Sequence, residues 1–203
     1  MIRAVVLAAG ESRRMGRPKA GLLVRPGGTT FARALAQTLI DAGLPDVTVV
    51  AGAHPEAVRA SLTGLSAVRV IDNPGWPAGQ LSSLRTALDS LEARDGPALQ
   101  AILVALVDSP YVRPDTVRTL VGRWRETGAP IVRPAIGDRH GHPVIFGRAT
   151  FEALRAAPLA EGAKAVIAAW QSQVVNVPVA DQGVLKDIDT PADYDAAARD
   201  GGG

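Results

Sequence analysis

Short apolar runs alternate along the chain with longer segments in which apolar residues recur every three or four positions. The short runs are rich in valine, isoleucine, leucine and alanine, which is typical of strands buried on both faces of a sheet. We predict strands over Ala4–Ala8, Val47–Ala51, Ala67–Ile71, Ala101–Val107, Pro130–Pro134, Pro143–Phe146 and Val174–Val177. We predict helices over Thr30–Ala42, Pro55–Leu62, Gln80–Ala93, Pro114–Glu126, Ala149–Ala156, Gly162–Gln171 and Pro191–Arg199. This order indicates an α/β fold, with a doubly wound, mostly parallel sheet and helices on both of its faces.

Composition narrows the class of protein. A chain of 203 residues, 47% of them hydrophobic, can bury a sizeable core, and we expect one domain over residues 1–203. The 22 basic and 20 acidic residues leave a net charge of +2, which gives no sign of a nucleic-acid partner. The absence of cysteine excludes disulfides, thiolate metal sites and a cysteine nucleophile. The apolar runs are too short to span a bilayer and Met1 leads directly into a predicted strand, so we expect a cytoplasmic protein without a membrane partner.

The loop after the first strand, Ala8–Lys19, carries the candidate phosphate-binding chemistry. Its alanine and glycine residues let backbone N–H groups approach an anion, and the cations that follow can neutralise phosphate oxygens. It is not a Walker A loop, because Gly16 is followed by Arg, Pro and then Lys19. It also lacks the Rossmann glycine fingerprint, since Gly10 and Gly16 lie six positions apart and position 30, where an acidic residue belongs, is threonine. The alternative is an ordinary glycine turn with solvated arginines.

Five segments, in this order along nearly the whole chain, resemble the nucleotidyltransferase superfamily, in the branch of the molybdenum cofactor cytidylyltransferases and guanylyltransferases. They are Leu7–Lys19, Asn73–Leu84, Leu106–Pro110, Gly141–Val144 and Asp187–Pro191. The chain departs from the family at Ser109, where glutamine is commoner, and at His142, where asparagine is frequent. The resemblance implies a Mg²⁺-dependent enzyme that transfers a nucleoside monophosphate from an NTP to the terminal phosphate of a molybdopterin-type cofactor and releases pyrophosphate.

The resemblance implies catalytic roles for two cations of the first loop. Arg14 matches the family's loop arginine and is expected to bind the β and γ phosphates and the leaving pyrophosphate, while Lys19 is expected to bind the α-phosphoryl group. These roles suit the chemistry, because a phosphate that attacks an NTP brings two anions together and needs charge neutralisation and alignment. Arg13 and Arg17 either contact the triphosphate or are solvated.

Acidic residues supply the predicted metal ligands. Asp108 follows the apolar run Ala101–Val107, at the expected carboxyl end of a central strand, where open α/β sheets bind their ligands. Asp187 and Asp189 can point the same way in an extended segment, and we predict that one of them is the second ligand of Mg²⁺. The alternatives are that Asp108 caps the turn after it, and that Asp189 or Thr190 caps the next helix; for Thr190 the capping role is preferred.

The nucleotide is expected to contact backbone and small polar groups of the first two segments. These are Leu7, Ala8, Ala9, Gly10, Gly79, Gln80, Ser82 and Ser83. The two serines are alternatively plain residues of a first helical turn. Ala9 resembles the CTP-using branch, because the GTP-using branch usually has glycine there and a methyl group would narrow the pocket for a purine. CTP is therefore the favoured donor, with GTP or another NTP as the alternative.

His142 and Trp76 are the predicted contacts of the phosphorylated acceptor. His140 and His142 have no third soft ligand nearby, which argues against a transition-metal site, and Trp76 is alternatively the packing anchor of its loop. Three further functions stay open: transfer to a sugar phosphate or another phosphorylated metabolite, a non-catalytic nucleotide-binding regulatory module, and a Rossmann oxidoreductase.

Overall fold

The computed structural model describes residues 1–200. Its strands are β1 (Ile2–Ala8), β2 (Val47–Ala51), β3 (Val68–Asp72), β4 (Ala101–Leu106), β5 (Ile131–Ile136), β6 (Arg139–His140), β7 (Val144–Gly147) and β8 (Val174–Pro178). Its helices are α1 (Phe31–Asp41), α2 (Pro55–Leu62), α3 (Gln80–Asp95), α4 (Pro114–Thr127), α5 (Phe151–Ala156), α6 (Ala163–Ala169) and α7 (Pro191–Asp200). No helix over these 200 residues is both long and apolar enough to cross a membrane.

The strands form one sheet in the order β3-β2-β1-β4-β7-β5-β6, and β8 pairs with β5 outside this path. The pairs of β1 with β2, of β1 with β4 and of β2 with β3 are parallel, while β7 runs antiparallel to both β4 and β5. The predicted mostly parallel, doubly wound sheet is confirmed. Because the strand order reverses at β1, the switch point at which such sheets bind ligands lies at the carboxyl ends of β1 and β4.

Hydrophobic clusters cover both faces of the sheet. Residues of α1, α2, α4 and α7 pack on one face, and residues of α3, α5 and α6 pack on the other. The central strand β1 contributes side chains to both clusters, because successive side chains of a strand point to opposite faces of the sheet. Val6 belongs to the first cluster and Val5 to the second. In α1 the buried residues Phe31, Leu35 and Leu39 recur every fourth position, so one face of the helix packs on the sheet.

Two features at one side of the sheet differ from the prediction. The two-residue strand β6 is exposed and too short to show any periodicity, and it forms a hairpin with β5 in which Ala135 pairs with His140. The run that forms β7 was predicted, but its antiparallel direction depends on pairing with strands distant in sequence. This side of the sheet carries part of a second cavity described below.

Candidate active site

A cavity of about 460 Å³ opens at the carboxyl ends of β1 and β4. It brings together twelve of the predicted site residues: Leu7, Ala8, Ala9, Gly10, Arg14, Lys19, Trp76, Gly79, Gln80, Ser83, Asp108 and Asp189. They come from four parts of the sequence that lie far apart: the first loop, the second segment (Asn73–Leu84) and the two acidic segments (Leu106–Pro110 and Asp187–Pro191). The switch point therefore gathers the predicted phosphate-binding and metal-binding residues around one space. We call it the first cavity.

The first loop is fixed by its own backbone and by one core side chain. Ser12 adopts a positive φ of 59°, and its carbonyl oxygen accepts hydrogen bonds from Met15 N and Gly16 N, each at 3.0 Å. The Ser12 hydroxyl accepts a hydrogen bond from Lys19 N at 3.2 Å. Met15 is buried, with 3% of its surface exposed, so it anchors the loop in the core. These contacts hold the loop's cations at the mouth of the cavity.

Lys19 joins the first loop to both acidic segments. Its Nζ lies 3.0 Å from Asp108 Oδ2 and 2.6 Å from Asp189 Oδ1, and only 11% of the side chain is exposed. Burial lowers the pKa of Lys19, but the carboxylates of Asp189 and Asp108 together raise it by more, so the pKa lies above its usual value. The ammonium group therefore stays charged at neutral pH. Arg14 is more exposed and reaches Asp189 Oδ2 at 3.0 Å.

A backbone hydrogen bond sets which aspartate of residues 181–191, here called the C-terminal segment, enters the cavity. Ile188 N donates to the carbonyl oxygen of Asp108 at 2.8 Å, which aligns the two acidic segments. In this register Asp189 lines the first cavity beside Asp108. Asp187 instead accepts a hydrogen bond from the Ser109 hydroxyl at 2.6 Å and does not line this cavity. The structure thus separates the two aspartates that the sequence left as alternatives.

Two caps fix the C-terminal segment on either side of these aspartates. The buried carboxylate of Asp181 accepts hydrogen bonds from Arg113 N at 2.9 Å and from the Thr116 hydroxyl at 2.7 Å, which ties the segment to the start of α4. On the other side, Thr190 and Asp193 bond reciprocally: Asp193 N donates to Thr190 Oγ1 at 3.2 Å and Thr190 N donates to Asp193 Oδ2 at 2.8 Å. The predicted capping role of Thr190 is confirmed.

Asp108 and Asp189 fit a hard divalent cation. Asp108 Oδ1 is buried and accepts no hydrogen bond from the described residues, and Lys19 bonds to both carboxylates, which shows that one cation can reach both. Over residues 1–200, no group of three or more His, Asp and Glu side chains is arranged to hold a metal ion. An ion bound by these two carboxylates would complete its shell with phosphate oxygens and water, as Mg²⁺ commonly does.

The second segment forms the opposite wall of the first cavity. The buried amide of Asn73 organises it: Nδ2 donates to the hydroxyls of Ser82 and Ser83 at 2.9 and 3.0 Å, and Oδ1 accepts from Gly75 N at 2.9 Å. The Ser82 hydroxyl also donates to the carbonyl oxygen of Gly79 at 2.7 Å. It is therefore hydrogen-bonded within the loop and does not line the first cavity. Ser83 lines the first cavity and is 3% exposed.

Trp76, predicted to contact the acceptor, lies on the first cavity together with the predicted nucleotide-binding residues. Its Cβ and the methyl group of Ala9 flank Gly52, where an added side chain would come within 2.7 Å of both. Such contacts are too close for any residue except glycine. Ala9 is itself 5% exposed, so its methyl group is part of a tightly packed cavity wall.

A second cavity of about 600 Å³ adjoins the first. The two cavities share the residues Leu7, Pro77, Gly79, Gln80 and Leu106. The second cavity extends over the face of β4 and β7, and the segments around β6 and before α6 close its other sides. Its floor is apolar, and its lining includes the predicted acceptor residue His142.

His142 is held at the edge of the second cavity by the C-terminal segment. Its backbone N donates to the carbonyl oxygen of Val184 at 3.1 Å, and Gly141 packs so closely on that carbonyl group that a side chain there would overlap it. His142 Nδ1 is buried without a hydrogen-bond partner among the described residues. Burial lowers the pKa of His142 despite the nearby carboxylates of Asp187 and Asp108, so the imidazole is neutral at neutral pH.

Sequence reasoning missed several polar residues in or beside these cavities, among them Asn73, His54, Arg133 and Lys164. Asn73 stands in an Asn-Pro-Gly sequence that indicates only a turn, and His54, whose Nε2 lies 3.0 Å from the carbonyl oxygen of Glu11, precedes a helical proline without any motif. Arg133 and Lys164 line the second cavity from elements 31 positions apart. Their shared location could not be found from local spacing.

The chain is similar to known proteins over nearly its whole length. Residues 4–175 match the MobA-like NTP transferase domain. The chain is 29% identical over 196 residues to the nicotine blue oxidoreductase of Paenarthrobacter nicotinovorans, covering 93% of this chain and 92% of that protein. It is 29% identical over 203 residues to a probable molybdenum cofactor guanylyltransferase of Mycobacterium ulcerans (strain Agy99), covering 97% of this chain and 93% of that protein.

A protein whose crystal structure is known has the same fold. Rv0371c from Mycobacterium tuberculosis H37Rv superposes with a TM-score of 0.76 at 33% identity, covering 98% of this chain and 97% of that one. Its structure in complex with manganese superposes with a TM-score of 0.71 at 31% identity, with the same coverage. The matched residues 4–175 include the whole first loop, the second segment and Asp108. The chain therefore belongs to the MobA-like NTP transferase family of nucleotidyltransferases.

Proposed function

We propose that the protein transfers the nucleoside monophosphate of an NTP, with CTP as the favoured donor, to the terminal phosphate of a molybdopterin-type cofactor. The observation that carries this proposal is the pair of adjoining cavities, which share five lining residues at the carboxyl ends of β1 and β4. The first cavity is lined by cations and carboxylates, and the second has an apolar floor. Two substrates bound side by side would meet at the shared residues, as a direct transfer requires.

The residues of the first cavity can perform each part of such a transfer. An oxygen of the acceptor phosphate attacks the α-phosphorus and forms a new P–O bond, while the bond from the α-phosphorus to the bridging oxygen breaks and pyrophosphate leaves with that electron pair. Lys19, charged and nearly buried, would stabilise the negative charge that develops on the α-phosphoryl oxygens. Arg14, whose side chain is 70% exposed at the cavity mouth, would bind the β and γ phosphates and could follow the pyrophosphate as it leaves.

Asp108 and Asp189 would hold a divalent cation, for which Mg²⁺ is proposed. When bound, such an ion neutralises phosphate charge and polarises the α-phosphoryl group. The manganese complex of the relative Rv0371c supports a divalent-metal requirement in this family. Lys19 keeps both carboxylates in place before substrate binds, so the site needs little rearrangement of the backbone.

The preference for CTP rests on the wall formed by Ala9. The methyl group of Ala9 and the Cβ of Trp76 both lie close to Gly52, and a wall that carries this methyl group leaves less width for a purine than glycine would. The relatives named guanylyltransferase make GTP the alternative donor.

Oxidoreductase activity is the second candidate function. It is favoured by the 29% identity to the nicotine blue oxidoreductase over nearly the full length of both chains. The first loop lacks the glycine fingerprint of the Rossmann dinucleotide fold, which favours the transferase. Oxidation of NADH or NADPH by the protein, in the presence of a dye acceptor and absence of NTP, would favour the second candidate.

The test is pyrophosphate release with Mg²⁺, each of the four NTPs in turn, and a molybdopterin-type cofactor. The proposal predicts release that needs both the cofactor and the metal, and that is fastest with CTP. Faster release with GTP would correct the base assignment and keep the reaction. Nucleotide binding without release for any NTP would contradict the proposed acceptor and favour a regulatory module or a different phosphorylated metabolite.

A further inference from the structure

The second cavity holds basic side chains without acidic partners. Arg133 and Lys164 both line it, and neither forms an ion pair with any carboxylate whose side chain the structure describes. Glu161 is the acidic residue in the lining, and it is exposed. Other half-buried arginines bond to a carboxylate, as Arg3 and Arg155 do, or to backbone carbonyl oxygens, as Arg85 does. Arg133 differs from both groups, because its hydrogen-bond partner is a side-chain amide oxygen and it lines a cavity.

Arg133 is held in a fixed direction by a neutral group. It lies opposite Asn176 in the register of β5 with β8, and its Nε donates to Asn176 Oδ1 at 2.8 Å. Its two terminal nitrogens form no hydrogen bond with the described residues, so the fork of the guanidinium stays available to a ligand. Burial lowers the pKa of Arg133, because no carboxylate offsets the loss of hydration. An arginine so placed is stabilised when an anion binds it.

The other titratable groups near Arg133 on this wall, His140 and Lys164, do not supply a negative charge that could pair with it. Burial and the charge of Arg133 lower the pKa of His140, while Asp138 acts in the opposite direction, so the imidazole of His140 is neutral at neutral pH. Lys164 is exposed at the rim. Arg133 therefore supplies the positive charge inside the cavity.

Arg133 is too far from the first cavity to bind the attacking phosphate. Val104 of β4 pairs with Val144 of β7, and Ile145 pairs with Val132, so Arg133 lies next to Val144 and two strands away from β4. Neighbouring strands are about 4.8 Å apart, which places the backbone of Arg133 about 10 Å across the sheet from β4. Along the sheet it is level with Val104, four residues before Asp108 of the first cavity. The space between is floored by apolar side chains, including Leu106 and Val144.

We propose that Arg133 binds a second anionic group of the acceptor, separated from the attacking phosphate by an apolar or aromatic body about 10 Å long. This inference rests on the proposed function only in taking the second cavity as the acceptor site. It defines the substrate class as a molecule with an anion at each end. Asn176 is a positioning residue, because it orients Arg133 and need not touch the acceptor.

The first test uses probes that do not depend on the identity of the acceptor. Bisphosphates of straight alkanediols with four to ten carbons, and the matching monophosphates, are titrated into the protein by calorimetry with CTP and Mg²⁺ present. We expect a bisphosphate of matching length to bind roughly ten- to hundredfold more tightly than its monophosphate, as charge-assisted hydrogen bonds to an arginine commonly give. Arg133→Met should remove this difference, and Asn176→Ala should reduce it.

The matched control is Arg139→Met, which removes one positive charge from the adjacent strand β6 at an exposed position that lines neither cavity. Arg133→Lys keeps the charge without the planar fork and should restore only part of the difference. If the wild-type protein binds bisphosphates and monophosphates equally at every length, or if Arg133→Met keeps the difference, the inference is wrong.

A second readout separates this inference from the proposed function. With the molybdopterin-type cofactor as acceptor, Arg133→Met should raise the KM for the cofactor roughly ten- to hundredfold and leave the KM for CTP unchanged. If the wild type is inactive with this cofactor but shows the Arg133-dependent preference for bisphosphates, the named acceptor is wrong and the inference holds. If the wild type is active and Arg133→Met has the wild-type KM for the cofactor, the inference fails and the proposed function stands.

Discussion

The charged side chains of the two adjoining cavities are paired differently. In the first cavity Lys19 and Arg14 are paired with Asp108 and Asp189, so the cations and anions are balanced within the protein. In the second cavity Arg133 has a neutral partner and an apolar floor around it. The difference indicates different ligands: the first cavity suits a nucleotide that arrives with a metal ion, while the second suits an acceptor that supplies its own negative charge.

The largest predicted effect tests the metal role of the first cavity. Asp108→Ala should lower kcat/KM by roughly a thousandfold, since a metal that stabilises the transition state contributes several kcal/mol. The fold should survive, because Asp108 Oδ1 accepts no hydrogen bond from the described residues and Lys19, which bonds to Asp108 Oδ2, keeps its bond to Asp189. Turnover is measured against metal concentration, with Asp115→Ala as a control on the exposed start of α4. Wild-type turnover in Asp108→Ala would contradict the metal assignment.

The next effect tests the cation that bridges the acidic segments. Lys19→Met should lower kcat roughly a hundred- to a thousandfold, because one preorganised charge next to the reacting phosphate is lost. The control is Arg17→Met, in the same loop, where the guanidinium stacks 5.1 Å from the ring centre of Tyr194 and lines neither cavity. Single-turnover kinetics at saturating NTP measure the chemical step directly. Equal losses in both variants would show a general charge effect instead of a specific role for Lys19.

A smaller effect is expected where the cavities meet. Asn73→Ala should destabilise the protein by about 1–3 kcal/mol, because a buried amide that organises the second segment loses its hydrogen bonds. The KM values for both substrates should rise together, since this segment contributes shared lining residues. Urea denaturation and steady-state kinetics check the two parts, with Gln37→Ala on the surface of α1 as a control. A change in only one KM would show that the segment serves one substrate.

The smallest effect lies outside both cavities and concerns stability alone. Hydrogen bonds from Arg3 and Arg94 lower the pKa of Asp95 from 3.8 to about 2. Because the folded-state pKa lies below the ordinary value, this stabilisation is present above about pH 4 and is lost as the pH falls through 2. Asp95→Asn should therefore be less stable than the wild type by about 1–2 kcal/mol at pH 7, with unchanged turnover.

The pH dependence of the stability difference between the wild type and Asp95→Asn tests this prediction. Thermal denaturation of both proteins from pH 7 to pH 2 should show the gap closing at the acidic end, as the wild-type carboxyl group becomes protonated. A gap that stays constant down to pH 2 would show that the Asp95→Asn substitution acts through packing and not through charge.

Apolar runs were sufficient to predict the parallel half of the fold. The strands β1 and β4 are buried on both faces, so their composition alone marks them. The other half was less predictable, because β6 has only two exposed residues and the direction of β7 is decided by its partners β4 and β5. Such pairings join residues that are distant in sequence and leave no local periodicity.

The first cavity was likewise more predictable than the second. Its loop is continuous in sequence and stands at the carboxyl end of β1, where small residues and cations mark phosphate chemistry. Which of Asp187 and Asp189 lines the first cavity could be seen only in the structure, where the hydrogen bond from Ile188 N to the carbonyl oxygen of Asp108 aligns the two segments. Arg133 could not be predicted, because its neutral partner Asn176 and its place in the cavity lining depend on the pairing of β5 with β8, which joins residues 43 positions apart.

Transfer of a label from [α-³²P]CTP tests the central claim most directly. With Mg²⁺ and a molybdopterin-type cofactor, the account predicts that the label moves to the cofactor in equal amount to the unlabelled pyrophosphate released, and that none stays on the protein. Label that remains in CTP or appears as free CMP, under conditions in which both substrates are shown to bind, would contradict the claim that the two cavities deliver a nucleotide to an acceptor.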